Sequence, residues 1–201
     1  MITLLPVLAL LAAVERPVVM EGTVALGAGQ PEVHVQVIMV AGRTSNTGCS
    51  GGVLHTGRFV VSVTPPTGAP VESDLNALLG AEELAVPAHS NFGVWPINFA
   101  DFNRDGSPDF SFASHFCGNN GSYYLLSVAP SGRVTRLAVV PDAPLIVFDE
   151  GPSSSSIHIT PQGIEVGAYN NASGSGVTTA YRWDPGRRVF IRVRPTPSST
   201  P

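Results

Sequence analysis

Phe99-Ala100-Asp101-Phe102-Asn103-Arg104-Asp105-Gly106-Ser107-Pro108-Asp109-Phe110 is the stretch on which the reading of this chain turns. Oxygen-bearing side chains stand at loop positions one, three, five and nine (Asp101, Asn103, Asp105, Asp109), and Gly106 stands at six. Calcium takes six to eight oxygen ligands at ~2.3–2.6 Å. A tight loop offers them by turning alternate side chains inward, while glycine supplies a backbone bend that other residues resist. Ser107 is expected to add its carbonyl oxygen, and Asp109 to bind directly or through water. The alternative is a polar hairpin without metal. Three carboxylates within nine residues repel one another unless a cation sits among them, which favours Ca2+. Magnesium fits less well, because it prefers strict octahedral geometry and keeps several waters.

The flanks decide the fold. Phe99 on one side, and Phe110 and Phe112 on the other, alternate as strand residues do. An EF-hand would need flanking helices and a bidentate Glu at the twelfth loop position, where this chain has Phe112. The pattern therefore predicts strand–loop–strand.

Outward from the loop, strand patterns follow in quick succession. On the C-terminal side they cover 109–114, 123–128, 134–139, 145–148, 156–160, 164–168, 178–183 and 189–193, with turn signals at Ser131-Gly132, Gln162-Gly163 and Pro185-Gly186. On the N-terminal side they cover 33–40, 58–63 and 95–99, separated by a Gly/Ser/Thr/Asn loop over 42–52. Only Glu72–Leu84 reads as helical, with Leu75, Leu78 and Leu79 on one face and Gly80 interrupting it. A strand about every ten residues predicts an all-β fold, β-propeller-like or a two-sheet sandwich of antiparallel strands, with one calcium-binding hairpin loop.

Composition agrees. Of 201 residues, 13% are charged, against ~25% in typical soluble domains, and 21 Gly and 18 Pro favour turns over long helices. The net charge of −4, with no basic stripe, argues against a nucleic-acid partner. Residues 1–13 form an apolar signal-peptide-like segment, too short for the ~20 apolar residues of a membrane span. It predicts export to a bacterial periplasm or the extracellular space, with no integral membrane span. Residues 14–194 are expected to form a single all-β domain, and 195–201 a disordered Pro/Ser/Thr tail. Cys49 and Cys117 are either a disulfide suited to an oxidising compartment, worth ~4 kcal/mol on the chain-entropy model, or two separate thiols.

No catalytic constellation emerges. The five histidines are scattered without zinc spacing, and no Gly-x-Ser-x-Gly, phosphate loop or dinucleotide fingerprint occurs. A non-enzymatic role is expected.

The Asp-x-Asn-x-Asp-Gly-x-x-Asp run between aromatic strands resembles the calcium loop of FG-GAP and VCBS-type repeats, the unit of integrin-like propellers. A longer similarity follows it: Gly118-Asn119-Asn120-Gly121-Ser122-Tyr123-Tyr124, the Ser131-Gly132-Arg133 turn, Ala180-Tyr181-Arg182-Trp183-Asp184 and Arg188-Val189-Phe190-Ile191. That order is similar to a group of small exported bacterial calcium-loop proteins, some of which inhibit lysozyme-type peptidoglycan hydrolases, immunity proteins among them. The resemblance implies a protein partner, a peptidoglycan hydrolase in that case. Such inhibitors use a Ser-Gly-x-x-Tyr loop. The nearest candidates are Ser173-Gly174 and Ser122-Tyr123, and neither meets the full pattern. A second expectation is a surface or carbohydrate-binding module, with Trp95, Tyr123, Tyr124 and Trp183 as exposed aromatics.

Overall fold

The computed structural model describes residues 16–46, 53–88, 93–117, 120–141, 143–148 and 153–193. The signal-like segment, Cys49 and the Pro/Ser/Thr tail lie outside the described residues, as does the side chain of Cys117. The Cys49–Cys117 pairing therefore lies outside them too.

The architecture is all-β, with almost no helix and a curled, half-barrel sheet. Strands β1 (Val18–Ala25), β2 (Glu32–Asn46), β3 (Val53–Thr64), β4 (Val71–Asp74), β5 (Leu84–Pro87) and β6 (Trp95–Pro96) make a six-stranded sheet, ordered β4-β3-β2-β1-β6 with β5 pairing the outer half of β3. Nine strands make the second sheet. They are β7 (Phe99–Ala100), β8 (Asp109–Cys117), β9 (Asn120–Val128), β10 (Val134–Val140), β11 (Leu145–Val147), β12 (Ile157–Thr160), β13 (Gly163–Asn170), β14 (Ser175–Asp184) and β15 (Val189–Arg192). Their order runs β12-β13-β14-β15-β10-β9-β8-β7, with β11 pairing β9.

Glu72–Leu84 is not one helix: β4 ends at Asp74, a single turn α1 (Leu75–Leu79) follows, and β5 begins at Leu84. Asp74 caps the turn by accepting from Ala77 N at 3.0 Å, and Gly80, left-handed at φ 71°, ends it. Nor is Gly42 the start of a loop. β2 runs on to Asn46, paired with Val53–Gly57 beyond a bulge between Met39 and Ala41. Gly42 and Gly57 face each other across the pair, and a Cβ on either would strike the opposite backbone carbonyl of Thr56 or Ala41. The strands stay paired through the bend because neither residue has a side chain.

β8 and β9 form a wall between two cores. Phe110, Phe112, Leu126 and Val128 face the six-stranded sheet and pack with Val35, Val37, Phe59 and Val61. From the opposite face of the pair, Ala113, Tyr123 and Leu125 enter a second cluster with Leu137, Leu145, Ile157, Ile164, Val166 and Phe190. The nine-stranded sheet curls around that cluster. Phe102, from the loop after β7, is 4% exposed and closes one end of it.

Candidate metal loop

The β7–β8 connection holds Asp101, Asn103, Asp105 and Ser107, and Asp109 opens β8. Phe99 pairs with Phe110 and Ala100 with Asp109 across β7 and β8. The rings of Phe99 and Phe110 meet edge-on at 5.9 Å. Phe102 is driven inward by its apolar ring, which fixes where the polar residues on either side must lie. Arg104 (φ 60°) and Gly106 (φ 83°) take left-handed conformations that reverse the chain.

The carboxylates are satisfied mainly by the loop itself. Asp101 accepts from Asp105 N at 3.1 Å and from Gly106 N at 3.0 Å. Asp105 accepts from Ser107 N at 2.8 Å and from the Asn103 amide at 2.9 Å. Asp109 accepts from Phe102 N at 2.8 Å through Oδ2. Burial opposes ionisation of Asp105, yet the Ser107 N–H and hydroxyl and the Asn103 amide outweigh it, and its carboxyl titrates below the ordinary range.

Asp109 is the exception. Its side chain has no exposed surface, and no hydrogen-bond donor reaches Oδ1. Burial, helped by the nearby Asp105 charge, pushes it up to about 7. The Ser127 hydroxyl, opposite it on β9, and the N–H groups of Phe102 and Asn103 resist that push. An orphaned, buried carboxylate oxygen in a loop of hard oxygen donors fits calcium better than it fits a bare turn. The carboxylates do not converge into a cage: among the described residues, no three His, Cys, Asp or Glu side chains stand close enough together to hold a metal. Each carboxylate other than Asp109 turns both oxygens to loop donors instead, which keeps the like charges apart.

The other candidates are scattered. Tyr123 is fully buried in the second core, so its ring is not presented to a partner, and Ser122 beside it is half-buried. Of the four aromatics expected at the surface, Tyr123 is fully buried and the other three are half-buried. Trp95 and Trp183 are half-buried, with the Trp183 ring tilted at 54° against Phe190, centroids 4.8 Å apart, and Tyr124 lies beneath the Arg136 guanidinium at 4.9 Å. Ser173 and Gly174, by contrast, are exposed at the tip of the β13–β14 hairpin. Gly174 is left-handed at φ 65°, and Asn170 accepts from the N–H groups of Ala172 and Ser173.

Sequence reasoning missed a groove of about 430 Å³ between the β1–β2, β3–β4 and β9–β10 turns, lined by Leu26, Pro31, Pro65, Pro66, Val71 and Pro130 among others. Its prolines lie in three separate turns, so no local motif marks it. Among the described residues no helix is long and apolar enough to cross a membrane.

No family model, no curated protein and no solved structure matches this chain.

Proposed function

We propose that this chain is an exported, calcium-stabilised β-protein that acts by binding a protein partner rather than by catalysis. The observation that carries the calcium reading is Asp109: a carboxylate with no exposed surface and one oxygen without a partner, beside Asp105 in an oxygen-rich loop. Asp101, Asn103, Asp105, the Ser107 carbonyl and Asp109 would hold the ion. Bound there, it supplies positive charge that cancels carboxylate repulsion and stabilises the folded state by mass action.

Isothermal titration of the chelator-stripped protein with calcium, magnesium as control, tests this. One calcium site of micromolar or tighter affinity is expected, and absence of calcium heat at millimolar concentrations would refute it.

For the partner, the longer resemblance suggests a lysozyme-type peptidoglycan hydrolase, and the Ser173–Gly174 tip supports a protruding contact. The tip is exposed and internally hydrogen-bonded, and so presented in one shape without much ordering cost on binding. Inhibition assays against a lysozyme panel should show a loss of inhibition on shortening this hairpin. Neither inhibition nor complex formation by the intact protein would refute the partner class.

A further inference from the structure

Arg104 lies in the middle of the loop, and its side chain points away from it. One guanidinium nitrogen donates to Thr160 O at 2.6 Å and another to Pro161 O at 3.2 Å. Those carbonyls belong to the end of β12 and the turn into β13. β7 and β12 are the two ends of the nine-stranded order, so this one side chain ties together the ends of the curled sheet. A second set of bonds follows the same seam: Ser154 N donates to Ser111 Oγ at 2.8 Å, and Asn98 N to Ser153 Oγ at 3.2 Å. The seam is therefore closed by side chains, with no strand-to-strand ladder between β7 and β12 among the described residues.

We infer that Arg104 is a clamp that closes the curled sheet, and that a cation in the Asp101–Asp109 loop sets how firmly it closes. The second half of this statement rests on the calcium reading above. Arg104 reaches both carbonyls from a left-handed backbone conformation that a non-glycine residue holds only when its surroundings enforce it. Its chain neighbours Asn103 and Asp105 are proposed ligands, so an ion that fixes them also fixes the direction in which the guanidinium leaves the loop. Coupling of this kind is reciprocal: if the ion tightens the clamp, losing the clamp weakens the ion by the same factor.

Hydrogen exchange of the full-length protein, followed over peptides covering 157–166 with calcium or with chelator, is the test, alongside calorimetric calcium titration of the same samples. Calcium should slow exchange in 157–166 by about fivefold or more in the wild type, and by less than about twofold in Arg104→Ala, whose calcium affinity should fall by a matching factor. Arg104→Lys keeps the charge but not the two-pronged donor, and should behave like the alanine variant. Equal slowing in wild type and variants, or calcium binding without slowing at 157–166, would overturn the coupling. If calorimetry detects no calcium binding at all, the ion-dependent half falls with the reading it rests on. The clamp itself is judged in chelator, where Arg104→Ala should exchange faster over 157–166 than wild type, and unchanged exchange would overturn it.

Discussion

Replacing Asp109 with Asn removes a buried charge while keeping the shape of the side chain. One side-chain oxygen still accepts from Phe102 N. Burial moves this carboxyl from 3.8 to about 7, a displacement of about three pH units. At ~1.36 kcal/mol per pH unit, holding it ionised in the folded protein costs at most about 4 kcal/mol. That figure is a ceiling, because the loop above Asp109 is open to water. The folded pKa lies above the unfolded one, so the stabilising effect of the neutral carboxyl is present below 3.8. It is lost as pH rises through about 7, and above that the full cost applies. In chelator at pH 8, Asp109→Asn should therefore stabilise the protein by ~1–3 kcal/mol, or about 3–10 °C for a chain of this size. At pH 5 the advantage should shrink, since the wild-type carboxyl is then largely neutral. Calcium at 100 times its dissociation constant would add ~2.7 kcal/mol to wild type, and the variant, lacking an anionic ligand, should gain far less. Thermal melts at the two pH values, each with calcium and with chelator, give all four numbers. A variant less stable than wild type in chelator at pH 8, yet still stabilised by calcium, would refute the reasoning.

Other perturbations probe the frame around the loop. Phe102→Ala opens the end of the second core and should cost ~3–5 kcal/mol in denaturant unfolding, with calcium affinity reduced because the loop loses its anchor. Asn76 is buried: its Oδ1 accepts from Phe59 N at 2.8 Å, and its amide donates to Gly57 O and Glu82 O. Asn76→Ala strands those groups and should destabilise by ~2–4 kcal/mol, measurable in urea. Asp74→Ala removes the α1 cap and should cost ~1 kcal/mol at neutral pH. Asp74 titrates below 3.8, chiefly because Ala77 N–H bonds its carboxylate; burial opposes this, and the Arg58 guanidinium assists it. Its contribution is thus present above pH 3.8 and lost as pH falls through the lower folded value, so wild type and Asp74→Ala should converge in acid melts below that point.

Period-two alternation was legible wherever one strand face meets a core and the other meets water. β2, with Val33, Val35, Val37 and Met39 buried and the residues between them not, is such a case. The strand–loop–strand over Phe99–Phe110 was legible, because its glycine and its flanking aromatics sit within twelve positions. The aromatics were misread for a reason particular to β8 and β9. A strand buried on both faces has no outward side, so Tyr123 resembles a surface residue in sequence and lies in a core. β1 went unseen because Gly22 and Thr23 blur its pattern. Gly22 sits there because Phe99 and Ile97 press against the position a Cβ would take, a contact no local signal announces. The helix was overextended because the three leucines of α1 carry real helical spacing, while Asp74 and Gly80 confine it to one turn. The Arg104 clamp joins positions 56 and 57 residues apart and could not be found from spacing alone.

The double-sided wall also bears on how this chain reaches its folded state. Emerging from its N-terminus, it delivers β1 to β5 well before β8 and β9, so Val35, Val37, Phe59 and Val61 lack the cover of Phe110, Phe112, Leu126 and Val128 until residues 109–128 follow. A six-stranded sheet with a bare apolar face invites mispairing and aggregation. The N-terminal half therefore gains its stability late, when one hairpin covers it and begins the second core in the same event.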